Sequence, residues 1–259
     1  MKGLCLDSAT KIRSYEYMQK IKTPEAVGRW NPQPYINSID RVVKKCTDHG
    51  WQIVEQQFAT TDDDRKFFGL INMEHPEFKN PEYGTMIGLR NSWTKQFADR
   101  VVIGNDVFVC ANMMFCGEMQ IGRRNTTNAA KDMDDRLALL IDNMAGSYIN
   151  QGQRVAAYKE RELSRMEMHD AVCEAMKEGI LPSSKIDSVL NEYNTPRHAE
   201  HKGETLWTLL NAFTEVGKAW PVSTLAGRTI ELQKQLDTIC RHEPYQMKEA
   251  AAEVLEVAE

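Results

Sequence analysis

Basic and aromatic side chains are concentrated in residues 88–131, a stretch that reads as consecutive β-strands. Between Arg90 and Lys131 there are six basic residues and three acidic ones. A positively charged groove with planar side chains suits single-stranded nucleic acid, because cations follow the phosphates and each base offers a face for stacking. The alternative is that Trp93 belongs to the core and the basic side chains are ordinary solvent-facing charges. The predicted binding residues are Arg90, Lys95, Arg100, Arg123, Arg124 and Lys131 for phosphate and Trp93 for stacking, with Asn91 and Asn125 beside them.

Histidines and carboxylates give weaker signals for a metal site or a hydrolase. His198 and His201 form an H-x-x-H pair, with Glu200 between them and Glu204 beyond, that could face a cation from one helical turn. Two histidines at this spacing are more often part of a solvated loop. The acidic groups at 132–142 suit a helix N-terminus, where the dipole favours negative charge, and the group at 62–64 suits a hairpin tip.

Nucleophile and cofactor motifs do not stand out in the sequence. Cys110 and Cys116 have no histidine nearby in sequence to act as a base, and a C-x5-C spacing is not a zinc signature. There is no Walker-type loop and no GxGxxG motif. We therefore predict no catalytic residue, no metal and no cofactor, and a protein that is not an enzyme.

The composition is that of a folded globular chain. It has 259 residues, 42% hydrophobic and 27% charged, with a formal net charge of −5, which argues against a protein that coats nucleic acid over its whole surface. No run approaches the roughly 20 apolar residues of a membrane span, and the first residues lack an apolar signal core. We expect a cytoplasmic protein whose six cysteines are reduced, mostly buried thiols.

The first half of the chain predicts one helix followed by an antiparallel meander. Residues 1–34 are polar and close on two prolines, which indicates a flexible leader in which Trp30 could anchor a neighbouring subunit. A helix is expected at 35–49, ended by Gly50, and then successive strands that pair with their sequence neighbours. These strands are expected at 51–58, 66–73, 84–93 and 101–112, the last interrupted by a hairpin turn at 104–106, with a short strand at 118–123.

The second half reads as helical. An apolar stripe from residue 129 predicts one long helix that continues towards residue 165. Ser164 and Glu167 have the spacing of a capping box ahead of the next helix. Further helices are expected at 182–193, 204–218 and 225–239. The fold class is α+β: an N-terminal helix and antiparallel β-meander, then a long helix and a mostly helical C-terminal half. The expected divisions are a leader at 1–34, an α+β core at 35–165, a helical region packed on it at 166–240 and an acidic tail at 241–259.

Two segments carry a resemblance to a known family. GLRNSWTKQFADRVVIGNDVFVCANMMFCGE and NTPRHAEHKGETLWTLLNAFTEVGK resemble the two halves of the phage/plasmid-like protein family, whose single domain has no known function. The resemblance extends over most of the chain after the leader and includes GILPSSKI at 179–186. It implies an origin in a phage, plasmid or other mobile element, and it transfers no catalytic residue.

A second similarity concerns the order of elements. A helix ending in Gly50-Trp51, a β-meander and then a long helix is similar to the core of single-strand annealing recombination proteins. Such proteins form rings and hold single-stranded DNA in a basic groove beside the sheet. Likeness of fold alone supports a function only weakly.

These observations favour a noncatalytic protein that binds, and is expected to anneal, single-stranded DNA in replication or recombination, acting as a homo-oligomer in the host cytoplasm. Two alternatives remain open. One is a phage counter-defence protein that binds and inhibits a host protein, for which the acidic total charge and helical half are suitable. The other is a metal-dependent enzyme that uses His198, His201 and nearby carboxylates.

Overall fold

A six-stranded antiparallel sheet forms the middle of the part of the chain that the structure describes. The computed structural model describes residues 10–78, 80, 83–107 and 112–248. Every strand pairs with the strand that follows it in sequence, which confirms the predicted meander. The strands are β1 (Thr10–Arg13), β2 (Gln52–Thr61), β3 (Lys66–Glu74), β4 (Tyr83–Ser92), β5 (Asp99–Val107) and β6 (Asn112–Arg123).

Helices cover both faces of this sheet, and the α+β class is confirmed. Alternate strand residues point to opposite faces, so each strand supplies two cores. The helices in chain order are α1 (Tyr15–Lys20), α2 (Tyr35–Asp48), α3 (Ala129–Asp142), α4 (Met144–Glu160), α5 (Arg165–Lys177), α6 (Ile186–Asn194), α7 (Leu206–Gly217) and α8 (Val222–Cys240).

The two cores explain why the central strands read as continuous apolar runs. On one face, Ile71, Ile87 and Val101 pack with α2 and α3. On the other face, Met86 and Val102 pack with the helical half, chiefly α4 to α8. A sheet covered on both sides needs apolar residues at successive positions, which is the pattern of β3 and β4.

The expected long helix is two helices. The chain breaks at Asn143, whose Nδ2 donates to the Leu139 carbonyl at 2.8 Å. Asn143 Oδ1 in turn accepts from the Tyr245 hydroxyl and the Lys248 backbone N–H, both at 2.8 Å. Asparagine competes with the backbone for hydrogen bonds, and here it ends α3 while holding residues 245–248. Because Met144 packs in one core and Tyr158 in the other, α4 carries the chain between layers. Residues 249–259 of the predicted acidic tail lie outside the described part.

The structure corrects the expectation of a flexible leader for residues 10–34. β1 pairs along β2, with Ile12 opposite Ala59. The Ser14 hydroxyl caps α1 by accepting from the Tyr17 N–H at 3.2 Å, and Met18 is buried. The apolar signal in this segment is short, and its partners are distant in sequence, so local patterning did not reveal it.

The predicted hairpin turn at Gly104-Asn105-Asp106 is wrong. These residues lie inside β5, where Gly104 pairs with Met86 on β4 and Phe115 on β6. The register shifts between Val102 and Gly104, with the extra residues on β6, so the glycine lies inside a continuous strand beside a β-bulge and not in a turn. The expected strand at 118–123 is correspondingly longer and begins at Asn112.

Elsewhere the predicted elements are confirmed within a few residues. Gly50 adopts a left-handed conformation, with φ of +84°, just after α2. Ser164 and Glu167 form the capping box at the start of α5. Two short 3-10 segments, Ser183–Lys185 and Ala199–His201, precede α6 and α7.

Candidate nucleic-acid interface

Three of the predicted arginines meet at one end of the sheet because of strand register. β4 ends where β5 begins, and Arg90 is directly opposite Arg100. On the next pair, Arg100 is opposite Gly122, so Arg123 at the end of β6 lies at the same edge. Antiparallel pairing therefore gathers cations that are more than 30 residues apart in sequence.

Two adjoining cavities lie along this edge and are open to solvent. Their empty volumes, counted to their open mouths, are about 1010 and 1210 Å³, and they share Arg29, Arg100 and Arg124. We call this surface the basic groove and define it by its cations: Arg29, Arg90, Lys95, Arg100, Arg123 and Arg124. Five of the seven predicted site residues line it.

Trp93 does not line the groove, which corrects its predicted role as a stacking platform. It is only 7% exposed. Its ring stacks on Tyr35 with centroids 4.0 Å apart and planes 11° apart, and its Nε1 donates to the Gln33 carbonyl at 3.0 Å. Trp93 is therefore a core residue that fixes the start of the β4–β5 connection against α2.

Lys131 is the other predicted residue that the structure leaves outside the groove. It is exposed on the first turn of α3 and does not line either cavity. The neighbouring Asp132 approaches instead, and its Oδ2 lies 2.6 Å from Nη2 of Arg123. This ion pair offsets part of the Arg123 charge in the groove.

Arg29 and Trp30 are groove residues that the sequence interpretation missed. Trp30 forms an isolated β-bridge with Thr126, and the Asn31 N–H donates to the Asn125 carbonyl at 3.0 Å. These bonds hold the leader of this chain against its own β6–α3 connection. The Lys95 ammonium lies 5.2 Å from the centre of the Trp30 ring, which makes a cation–π contact across the groove. The adjacent Arg29, Trp30 and prolines were the available sequence signal.

A buried amide pair supports the groove from below. Asn125 Nδ2 donates to Asn91 Oδ1 at 2.8 Å and to the Ser92 carbonyl at 3.3 Å. Both asparagines are buried, and Asn125 forms part of the groove wall, so the pair positions the groove. The bond ties the end of β4 to the segment that carries Arg124.

The β4–β5 connection holds Lys95 in an uncommon conformation. Its φ is +64°, in the left-handed region that non-glycine residues rarely occupy. Ser92 stabilises the turn, because its Oγ accepts from the Thr94 N–H at 3.2 Å and lies 2.7 Å from the Thr94 hydroxyl. Strained residues of this kind occur often at binding sites, where the surrounding structure maintains them.

Arg90 and Arg100 are poorly neutralised. Burial lowers the pKa of Arg90, and the charge of Arg100 lowers it further. Arg100 Nη1 donates to Gln120 Oε1 at 2.8 Å, and the Arg90 guanidinium lies 5.3 Å from the Phe97 ring centre. The Nε atoms of both arginines are buried without a hydrogen-bond partner among the described residues. Unmade bonds of buried donors cost free energy, and a bound acceptor would offset that cost.

The carboxylate nearest to Arg100 in sequence is that of Asp99, and it makes its side-chain hydrogen bond with α2. Asp99 is buried, and its Oδ2 accepts from the Ser38 hydroxyl on α2 at 3.1 Å. Burial raises the pKa of Asp99 from 3.8 to about 6, with the Ser38 bond and the Arg41 charge acting in the opposite direction. Asp99 therefore does not neutralise the arginine next to it in sequence.

The alternative metal site is not assembled in the described part of the chain. His198 and His201 make an edge contact with ring centroids 5.3 Å apart, and burial lowers the pKa of His201. Among the described residues, no group of three or more His, Cys, Asp or Glu is placed to hold an ion. The Cys110 and Cys116 thiols lie outside the described part, whereas Cys46, Cys173 and Cys240 are free and Cys173 is exposed.

No known protein family, curated protein or solved structure matches this chain. The resemblance to the phage/plasmid-like family therefore stays a prediction. Within the residues that the structure describes, no helix has both the length and the apolar character needed to cross a bilayer.

Proposed function

We propose that the basic groove binds single-stranded DNA without catalysing a reaction on it. The observation that carries the proposal is the convergence of six cations on one edge of the sheet, in a protein whose formal net charge is −5. Segregated positive charge on an acidic protein is the electrostatic pattern of a local phosphate-binding surface.

Aromatic groups favour a single strand over a duplex. Trp30 is half-buried beside Lys95, and Phe97 is half-buried under Arg90. Single-strand binders combine cations that follow the backbone with rings on which bases stack. In this proposal Arg29, Lys95, Arg123 and Arg124 bind phosphates, and Trp30 takes the stacking role that sequence analysis gave to Trp93.

The wider role in the proposal is that of a mobile-element protein that anneals strands during replication or recombination, as a homo-oligomer. It is supported by the family resemblance and by the order of helix, meander and helices. Light scattering of the purified protein, with and without an oligonucleotide at two salt concentrations, tests it. A large oligomer that binds DNA and releases it at high salt is the expected result.

The binding proposal is tested directly with Arg124→Ala, measured by fluorescence anisotropy on a labelled oligonucleotide over a range of salt. Each lost phosphate contact should lower the slope of log K against log salt by about 0.7 for a single strand. Arg165→Ala is the matched control, because Arg165 is exposed on α5 and does not line the groove. Absence of salt-sensitive binding by the unmodified protein contradicts the proposal and directs the search to a host protein partner.

A further inference from the structure

A separate cavity lies between the sheet and α8, and it adjoins the basic groove. It is lined by Phe68, Leu70 and Val102 from the strands and by Leu225, Ala226 and Ile230 from α8. Its empty volume is about 600 Å³, counted to its open mouth. Apolar walls with a few polar groups at the opening are typical of small-ligand sites.

Gly88 helps to explain why this space exists. It lies on β4 between Met86 and Arg90, on the sheet face that is turned towards α8, and it lines the cavity. A glycine at this position leaves the floor without a side chain. Gly227 on α8 lies across from it, and a Cβ added at Gly227 meets no atom within 4 Å.

Arg90 and Arg100 line both the cavity and the groove, so they mark where the two join. Their buried Nε atoms lack hydrogen-bond partners among the described residues, and the two side chains are cross-strand neighbours of like charge. Like charges directly opposite each other destabilise a sheet, and a bound anion would offset this repulsion. The cavity thus has apolar walls and an anion-binding mouth.

We propose that this cavity takes one nucleotide, with its base between the sheet and α8 and its phosphate on Arg90 and Arg100. A nucleobase has a flat apolar face for the walls, and Gln120, which also lines the cavity, holds Arg100 at its mouth by accepting from Nη1. Guanidinium groups bind phosphate oxygens in pairs and also stack on planar rings. The inference deepens the proposed function and rests on it, because the groove supplies the strand from which the base turns inward.

The test uses oligonucleotides of about 12 residues, within the range that single-strand sites cover, with 2-aminopurine placed at each position in turn. Binding is followed by anisotropy, and the accessibility of the fluorescent base is followed by acrylamide quenching. In the unmodified protein, at least one position should become shielded from acrylamide. Loss of a stacked base costs ~1–3 kcal/mol, so a blocked cavity should weaken affinity by at least about fivefold.

Gly227→Leu fills the cavity mouth, and Gly227→Ala is its matched control. A second filling variant, Ala226→Phe, covers the case in which Gly227→Leu does not fold. Both filling variants should lose the shielding and at least about fivefold in affinity while the salt slope stays unchanged, because the phosphate contacts remain. Gly227→Ala should behave as the unmodified protein.

The outcomes separate this inference from the proposed function. DNA binding with a normal salt slope but no shielded base, or with shielding that the filling variants retain, overturns the cavity assignment and leaves the groove intact. No oligonucleotide binding at all overturns both. A parallel measurement uses free 2-aminopurine nucleoside monophosphate: if it alone is shielded, the cavity binds a free nucleotide, and insertion from a strand is overturned.

Discussion

Arg90 on β4 and Arg100 on β5 face each other directly across the strand pair, and neither buried Nε has a hydrogen-bond partner among the described residues. Such a pair weakens the folded state in the absence of ligand, because repulsion and desolvation act together. Under the proposed function, this pair at the junction of groove and cavity serves binding at a cost to folding.

Arg90→Met should therefore stabilise the protein while impairing its binding. Methionine keeps the apolar stem over Phe97 and removes a charge that has no ion pair among the described residues. We expect a gain of about 1 kcal/mol in the free energy of unfolding, discounted because Arg90 is only half-buried, and a several-fold loss of affinity for DNA. Urea denaturation and anisotropy measure the two effects, and a destabilised variant that binds DNA normally would contradict the interpretation.

Asp132→Asn should strengthen DNA binding. The substitution releases Arg123 from its 2.6 Å ion pair and leaves it free for phosphate, so the salt slope should rise by up to about 0.7. Asp135→Asn changes the net charge equally on an exposed position of the same helix, and it is the matched control. Equal effects of the two variants would show that overall charge matters and the Arg123 pair does not.

Substitution of Trp93 should affect stability, whereas substitution of Trp30 should affect DNA binding. Trp93→Ala removes a core ring that stacks on Tyr35, and it should lower the free energy of unfolding by about 3–5 kcal/mol. Trp30→Ala removes a half-buried ring of the groove, and it should weaken binding by about 1–3 kcal/mol with a smaller effect on stability. Thermal denaturation and anisotropy on both variants decide the assignment, and the reverse pattern would restore Trp93 as the stacking residue.

Asp99 should make the folded protein less stable as pH rises. Its folded-state pKa is raised from 3.8 to about 6, so the folded state binds the extra proton between those two values. Stability from this group is thus greatest below about pH 4 and is lost as pH rises through about 6. Asp99→Asn cannot titrate and should gain on the unmodified protein by on the order of 1–3 kcal/mol between pH 4 and 7.

The quantity to measure is the difference in the free energy of unfolding between Asp99→Asn and the unmodified protein, obtained by urea denaturation across this pH range. Subtraction removes the opposing contribution of His201, whose lowered pKa makes the folded state lose stability as pH falls. Asp135→Asn, which changes an exposed carboxylate, should show little such difference. A pH-independent difference for Asp99→Asn would show that the buried carboxyl does not hold its proton near neutral pH.

Sequence patterning predicted the fold well where the signals are local. The apolar period of α2, the capping box at Ser164 and the successive strands all follow from neighbours within a few residues. The turn predicted at Gly104 is wrong, because a glycine followed by polar residues can also stand inside a strand. The break at Asn143 was not predicted, because the partners of that side chain, Tyr245 and Lys248, are distant in sequence.

The basic groove was predicted in part, where it depends on the order of the strands and not on their register. Arg90, Lys95, Arg100, Arg123 and Arg124 could be chosen because strand ends in a meander come together. The direct opposition of Arg90 and Arg100 depends on register, which sequence alone did not give. The face on which Trp93 lies depends on its contact with Tyr35, and the docking of Trp30 depends on Thr126.

The docking of Trp30 on Thr126 couples the conformation of residues 27–31 to ligand binding in the groove. Arg29 and Trp30 belong to the groove only while the Trp30–Thr126 bridge and the Asn31–Asn125 bond hold them there. A ligand that contacts both sides of the groove must favour the docked arrangement, and the docked arrangement must favour the ligand by the same factor. Substitutions that loosen residues 27–31 should therefore reduce affinity without touching the ligand, and ligand should in turn protect this segment from proteolysis.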